Sequence, residues 1–440
     1  MVKIVSKFGG SSILQFDRVK SIIEADADRR FIVVSAPGDK DKKYRVTQML
    51  IRLGQETMGG RVREKEFNAL KDKILAKYVS IFGSECEGIV GEELGRRVDI
   101  FGHIGNDAFM ANMKAFGEDM TAQLAARALD FQYVNLKDIM LVNGPYDAAQ
   151  VHPISYSRMK INLSEGRFVI PGFFGYSREG EVKTFAFGGS DKTGAEIAKG
   201  VGADLYENFT DGPIRAADPK YVPDAKRVTE LTLNELRDLS YAGFGIYHSE
   251  AISPLLEDRI KVHVRSTTNF PEDGTMVYSE RVADATRPVV GVAYREGLCA
   301  VTLAGVGLND LHGVLAATTG VLAKHKIAIE FPAVGIDDVS YIVQQNGLTS
   351  SVLAELKSDL IDATNKGNFS FYENLACVVL AGKGIARDPL VNARAEVALD
   401  AAGVFVLASS MGFERRCILY AVHGEDGPKA VKTLYDMFIA

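Results

Sequence analysis

The sequence predicts an α/β protein with a mostly parallel sheet between layers of helices, followed by two smaller ferredoxin-like modules. Three observations carry that prediction. Short apolar runs alternate with helically spaced segments through the first part of the chain, and such alternation specifies a parallel sheet covered by helices. A polar stretch, 279–288, then breaks both periodicities and reads as a linker. Beyond it the pattern becomes strand, helix, strand, strand, helix, strand, which is the ferredoxin-like order.

The strands of the first part are apolar runs ending in glycine or polar residues, at 3–8, 31–35, 168–171, 205–209 and 261–264. Helical spacing is explicit in 16–27, where Phe16, Val19, Ile22 and Ile23 fall on one face, and in 120–129 with Met120, Leu124, Ala128 and Leu129. Residues 51–119 are charged, helically periodic and poor in β-branched runs, so they read as a helical excursion from the sheet. The first domain is expected to span 1–280. After the linker, strands are expected at 298–303, 327–331, 339–345 and 368–372, with helices at 313–325 and 350–363. These form one βαββαβ unit, at about 298–372. A second unit takes strands 376–381, 404–408 and 417–422 and helices 389–402 and 428–438. It lacks a strand that 289–294 could supply, so the first unit is expected to be inserted in the second, the pair together filling 289–440.

Composition narrows the function. At about 150 residues per domain, the 440 residues allow roughly three folding units. Apolar residues make up 47%, enough for packed cores and too many for wholesale disorder. The net charge of -6 leaves no footprint for nucleic acid. Four cysteines stand without a CxxC, which argues against a zinc ribbon or a disulfide framework and for reduced thiols in a cytoplasmic protein. There is no signal-peptide pattern and no run of eighteen apolar residues, so neither export nor a membrane span is expected.

Ligands of parallel sheets bind at the carboxyl ends of strands, so glycine clusters at those ends matter most. Lys7-Phe8-Gly9-Gly10-Ser11-Ser12 follows the first strand and precedes a helix. Paired glycines let backbone N–H groups approach an anion, a helix N-terminus adds partial positive charge, and Lys7 adds a full one. A phosphate is the natural guest, although a capped turn with a surface lysine would read the same way. Gly188-Gly189-Ser190-Asp191 repeats the arrangement before a second helix, with Asp191 either a cap or a carboxylate that orients cations. Two such loops favour the phosphate. Asn208-Phe209-Thr210-Asp211-Gly212 and Ala217-Asp218-Pro219-Lys220 could hold a nucleotide or form plain turns. Glu118, in Gly117-Glu118-Asp119 before a helix, could pair with a substrate amine or merely favour the helix dipole. GxxxxGK[ST], GxGxxG and HExxH are all absent, His248 reads as structural, and no metal ligand set is expected.

The order of these motifs, with Val34-Ser35-Ala36-Pro37-Gly38 between the first two, resembles the aspartokinase family. Ile246-Tyr247-His248-Ser249-Glu250-Ala251-Ile252 and the PEDGT of 271–275 resemble it too, and the two C-terminal units resemble its paired, interleaved ACT domains. The resemblance covers nearly the whole chain. It implies an amino-acid-kinase fold, a carbamate-kinase-like three-layer sandwich, and transfer of the ATP γ-phosphoryl group to the side-chain carboxylate of L-aspartate, with Mg²⁺. By the same resemblance, Lys7 and the loop of Gly9, Gly10 and Ser11 would face the phosphates together with Gly188 and Gly189. Ser35, Thr47, Glu118 and Ser190 would lie on the aspartate side, Glu118 on its amino group. Asp191 would organise the cationic groups, and Thr210, Asp211, Asp218 and Lys220 would lie near the nucleotide. A homodimer, or a higher oligomer, with lysine or threonine as effector at the ACT domains is implied as well.

The sequence departs from the family pattern in places. Phe187 stands where the family has an arginine that holds a substrate carboxylate, with Arg45 or Lys192 as conceivable substitutes. Gly245 replaces a lysine or asparagine, Lys220 replaces an arginine after Asp-Pro, and Ser409-Ser410-Met411-Gly412-Phe413-Glu414 replaces an effector signature. Two alternatives therefore stay open: a kinase for another acid, and a non-catalytic amino-acid-binding homologue. A dinucleotide oxidoreductase is disfavoured by the missing GxGxxG.

Overall fold

A computed structural model describes residues 2–59, 64–186, 188–243, 249–284 and 286–440. Phe187, Gly245 and 246–248 of the family motif, and Ala285 of the linker, lie outside the described residues. The chain forms two compact units. One comprises Met1–Ile214, Thr229–Leu236 and Ile246–Arg281; the other comprises Arg215–Val228, Arg237–Gly245 and Val282–Ala440.

The first unit is built on an eight-stranded sheet. Its spatial order is Glu230–Thr232, Thr275–Tyr278, Lys261–Ser266, Leu205–Thr210, Ile4–Phe8, Arg29–Val34, Phe168–Pro171 and Gln132–Tyr133. All neighbours run parallel except Lys261–Ser266 with Thr275–Tyr278. The strand Ile4–Phe8 is flanked by strands from opposite directions in the sequence, Arg29–Val34 and Leu205–Thr210. That reversal of strand order opens a crevice at the carboxyl ends, where such sheets bind ligands.

Side chains alternate across the sheet, so one register sets two different neighbourhoods. Lys7 is paired with Asn208, and Ser6 with Glu207. On the Ser6 face, Glu207 is 1% exposed, yet it lies in a strand. Arg29 donates to it at 2.7 and 3.0 Å, Ser6 at 2.8 Å and Arg265 at 3.2 Å. Burial pushes the Glu207 carboxyl up, but the Arg29 hydrogen bonds and charge, with Ser6 and Arg265, outweigh it and hold the group below its ordinary value. One carboxylate thus ties four adjacent strands together.

Phe16, Val19, Ile22 and Ile23 of the helix Phe16–Glu24 are buried against Phe8, Ile32, Val34 and Phe209. Among the described residues the excursion is four α-helices, Val46–Met58, Glu64–Phe82, Glu87–Asp99 and Asn106–Leu129, with their own core around Leu50, Leu53, Tyr78, Val90 and Phe116. The sequence placed Gly117-Glu118 ahead of a helix. They lie instead in the middle of the 24-residue helix Asn106–Leu129. Gly117 looks like a helix breaker, but a Cβ there would sit 2.6 Å from Ala36 Cβ, so the glycine allows the helix to approach the loop after the second strand.

In the second unit a single six-stranded antiparallel sheet runs Ile329–Val334, Asp338–Gln344, Gly291–Ala304, Asn368–Ala381, Cys417–His423 and Ala408–Ser410. Its two central strands are long and shared. Leu298–Ala304 pairs with Asp338–Gln344, while Gly291 and Val292 pair with Ala381 and Leu380. The sequence reading split each long strand in two because Glu296-Gly297 and Glu373-Asn374 are polar; these residues form an exposed register irregularity instead. The strand expected at 404–408 begins only at Ala408, and Phe405 is exposed. Arg215–Val228 belongs with this unit and not with 1–280, because Val292 donates to the Ala216 carbonyl at 2.7 Å and Lys226 to the Tyr435 hydroxyl at 2.8 Å.

Among the described residues, no helix is long and apolar enough to cross a membrane.

Candidate active site

A cleft of about 1090 Å³ opens at the carboxyl ends of the central strands. Lys7, Gly9, Gly10, Ser11, Ser35, Thr47, Glu118, Gly188, Gly189, Ser190, Asp191, Thr210 and Asp211 all line it. They reach it from widely separated parts of the sequence.

Lys7 sits on the last turn of pleat before the strand ends and is 7% exposed. Its ammonium lies 2.6 Å from Asp191 Oδ1 and 3.5 Å from Asn208 Oδ1. Asn208 closes the triangle by donating to Asp191 Oδ1 at 3.1 Å. Asp191 is in the first turn of the helix Gly189–Val201, whose cap Gly188 has φ 81°, a conformation that favours glycine. Here the second glycine pair does start a long helix. The first does not: Gly10–Ile13 is a single turn, so its dipole is small and the anion-binding potential there comes from Lys7 and backbone N–H groups.

Gly10 and Gly38 lie back to back. A Cβ on Gly10 would meet the Ala36 carbonyl oxygen at 2.6 Å, and one on Gly38 would meet Gly10 C at 2.8 Å. Gly38 N–H donates to the Gly10 carbonyl at 2.9 Å. The Ser11 hydroxyl donates to Asp211. Phe173, also on the cleft, has φ 78°, a strained backbone for a bulky residue, and is held by the Thr193 hydroxyl at 2.9 Å and Phe185 N–H at 2.8 Å.

Glu118 is 5% exposed and its Oε2 has no hydrogen-bond partner among the described residues. Burial pushes its carboxyl up to about 8, against smaller lowering from backbone N–H groups. A cationic donor at Oε2 would favour the ionised carboxylate and offset that burial. Its helix is pinned from behind: Tyr78 donates to the Gly117 carbonyl at 2.7 Å, and Arg97 to Asp119 at 2.6 Å.

Asp218 and Lys220 do not line the cleft and belong to the other unit. Asp218 accepts from Lys220 N–H at 2.8 Å in a local turn, and Lys220 Nζ donates to the Tyr221 hydroxyl at 2.9 Å. Lys192, considered as a substitute cation, turns away to Gln150 at 2.9 Å and the Phe185 ring. Arg45 does line the cleft, as do Lys40 and Lys114, which sequence reasoning missed. Asn208 lies in the Asn208–Gly212 motif, and its part in the site follows from its strand register opposite Lys7.

Residues 2–266 match the amino acid kinase family. Aspartokinase 3 of Bacillus subtilis (strain 168) is 32% identical over 99% of this chain and 98% of its own length. The chain belongs to the aspartokinase family. Lysine-sensitive aspartokinase 3 of Escherichia coli (strain K12) is 24% identical over 98% of both chains. Among solved structures, the aspartate kinase of Clostridium acetobutylicum superposes with a TM-score of 0.82 at 27% identity, covering 100% of both chains. The E. coli aspartokinase III structure with aspartate and ADP gives a TM-score of 0.81 at 24% identity, again over 100% of both, and supports the fold.

Proposed function

We propose that this aspartokinase transfers the γ-phosphoryl group of ATP to the side-chain carboxylate of L-aspartate, giving 4-phospho-L-aspartate. The observation that carries the reading is the cleft itself: a largely buried Lys7–Asp191 pair between two glycine loops, with a buried Glu118 whose Oε2 has no partner among the described residues.

The acceptor carboxylate is ionised at neutral pH, so no general base is required. The obstacle is bringing an anion to a polyanion. In the reaction, an oxygen of the aspartate side chain bonds to the γ-phosphorus, the bond to the β,γ-bridging oxygen breaks, and ADP leaves. Lys7 and the N–H groups of the Gly9-Gly10 and Gly188-Gly189 loops neutralise the charge that develops. Asp191 and Asn208 aim the Lys7 ammonium. Ser35, Thr47 and Ser190 hold the acceptor, Glu118 binds its ammonium, and Thr210 and Asp211 border the nucleotide.

Among the described residues, no group of three Asp, Glu, His or Cys could hold a metal alone. Mg²⁺ commonly uses one or two carboxylates plus substrate phosphates. The carboxylates of Asp211 and Asp191 fit an ion that arrives on the nucleotide, where it would neutralise phosphate charge.

The second unit is proposed to be a pair of ACT domains, 289–440, that bind an amino-acid effector in a homodimer. Its interleaved sheet and the lysine sensitivity named for the E. coli relative support this. Lysine and threonine should each be titrated into the assay; insensitivity to both would remove the regulatory part.

ADP release measured across a panel of acids tests the central reading. L-Aspartate is expected to support turnover; turnover with another acid alone would overturn it.

A further inference from the structure

Lys114 precedes Glu118 by four residues on the helix Asn106–Leu129, and both line the cleft. Residues four apart share one helix face, with Cβ atoms roughly 5–6 Å apart. Glu118 Oε2 is buried without a partner, which calls for a cationic donor. An α-amino acid supplies one, and its α-carboxylate hangs from the same carbon as the ammonium. A group that receives the ammonium therefore needs a free cation within about one helical turn.

The other cations do not serve. Lys7 is paired with Asp191 at 2.6 Å. Lys192 is bound to Gln150 and does not line the cleft. Lys40 and Arg45 line it but are exposed, and Arg45 leans on the Asp39 carbonyl at 3.4 Å. Lys114 is half-buried and makes no hydrogen bond or ion pair among the described residues. A half-buried charge is screened less than an exposed one.

We propose that Lys114 is a specificity-determining residue that binds the α-carboxylate of the acceptor, one helical turn from the Glu118 carboxylate that binds its ammonium. The proposal rests on the aspartate kinase reading and names the cation of that site. Because the reacting carboxylate is at the other end of aspartate, Lys114 governs acceptor binding and not the transfer step.

The test compares Lys114→Met, which keeps the stem and removes the charge, with Lys114→Arg, which keeps a charge. For Lys114→Met the KM and calorimetric Kd for L-aspartate should rise roughly ten- to a hundredfold. The kcat and the KM for ATP should be unchanged, and Lys114→Arg should recover most of the loss. β-Alanine, which is aspartate without the α-carboxylate, should bind wild type and Lys114→Met with equal Kd. An unchanged aspartate Kd in Lys114→Met, or an equal loss with β-alanine, would overturn the proposal while the kinase reading stands. Wild-type protein that does not turn over aspartate would overturn the kinase reading, and this proposal with it.

Discussion

Lys7 Nζ and Asp191 Oδ1 lie 2.6 Å apart, although 184 residues separate them in the sequence, and both are largely buried at the mouth of the central strands. The pair holds an ammonium in one place and leaves its remaining protons for a second anion. Lys7→Ala is expected to lower kcat by about 10²–10³-fold, the cost typical of losing one preorganised donor. It also leaves Asp191 as an uncompensated negative charge beside the phosphates. Lys7→Ala/Asp191→Ala should therefore bind metal-free ATP more tightly than Lys7→Ala alone, while remaining inactive. Equilibrium binding of ATP to the two variants checks this; equal affinities would dissociate Asp191 from the nucleotide.

Glu118 gives a pH dependence with a definite sign. With its carboxyl pushed up to about 8, the empty site is mostly protonated at pH 7, and binding an ammonium requires that proton to leave. The KM for aspartate should fall as pH rises from 6.5 toward 8 and level off above it. The stability linkage runs the other way. The folded state binds the extra proton between about 4.5 and 8, so this group's contribution to stability declines as pH rises through that window. Glu118→Gln should abolish the decline, and urea melts at pH 5 and pH 8.5 measure it.

Gly10 and Gly38 are fixed by contact. Gly10→Ala would drive a Cβ against the Ala36 carbonyl oxygen, and both flanking segments belong to the cleft. Overpacking of this kind costs about 1–3 kcal/mol. A lowered melting temperature together with weaker ATP binding is expected, measured by calorimetry with and without nucleotide.

Glu207 is the buried tie between four strands. Glu207→Ala leaves Arg29, 5% exposed at its side chain, without its carboxylate partner. Breaking such a pair costs about 3–5 kcal/mol. The carboxyl is held below its ordinary 4.5, so this stability is present above about pH 4.5 and is lost as pH falls through the lowered folded-state value. Acid unfolding of wild type and Glu207→Ala checks both points; coincident acid transitions would contradict the role.

Much of this was legible in the sequence, because apolar runs and helical spacing survive without context. The strands Phe168–Pro171 and Leu205–Thr210 and the helix Phe16–Glu24 follow directly from their patterns. What was hidden depends on partners distant in sequence. Arg29 and Arg30 begin a strand that looked polar, because Arg29 is neutralised by Glu207 178 residues later. Gly117 looked like a boundary and is a close approach to Ala36. The glycine loops pointed to the cleft because backbone geometry is local. The cations Lys40, in the loop after the second strand, and Lys114, on the helix Asn106–Leu129, were missed because only the folded chain brings them to the cleft.

The transfer itself is tested most directly by trapping its product with hydroxylamine. Wild-type protein given ATP and L-aspartate should form L-aspartate 4-hydroxamate in step with ADP, and Lys7→Ala should form almost none. ADP release without hydroxamate, or hydroxamate formed equally by Lys7→Ala, would contradict the account.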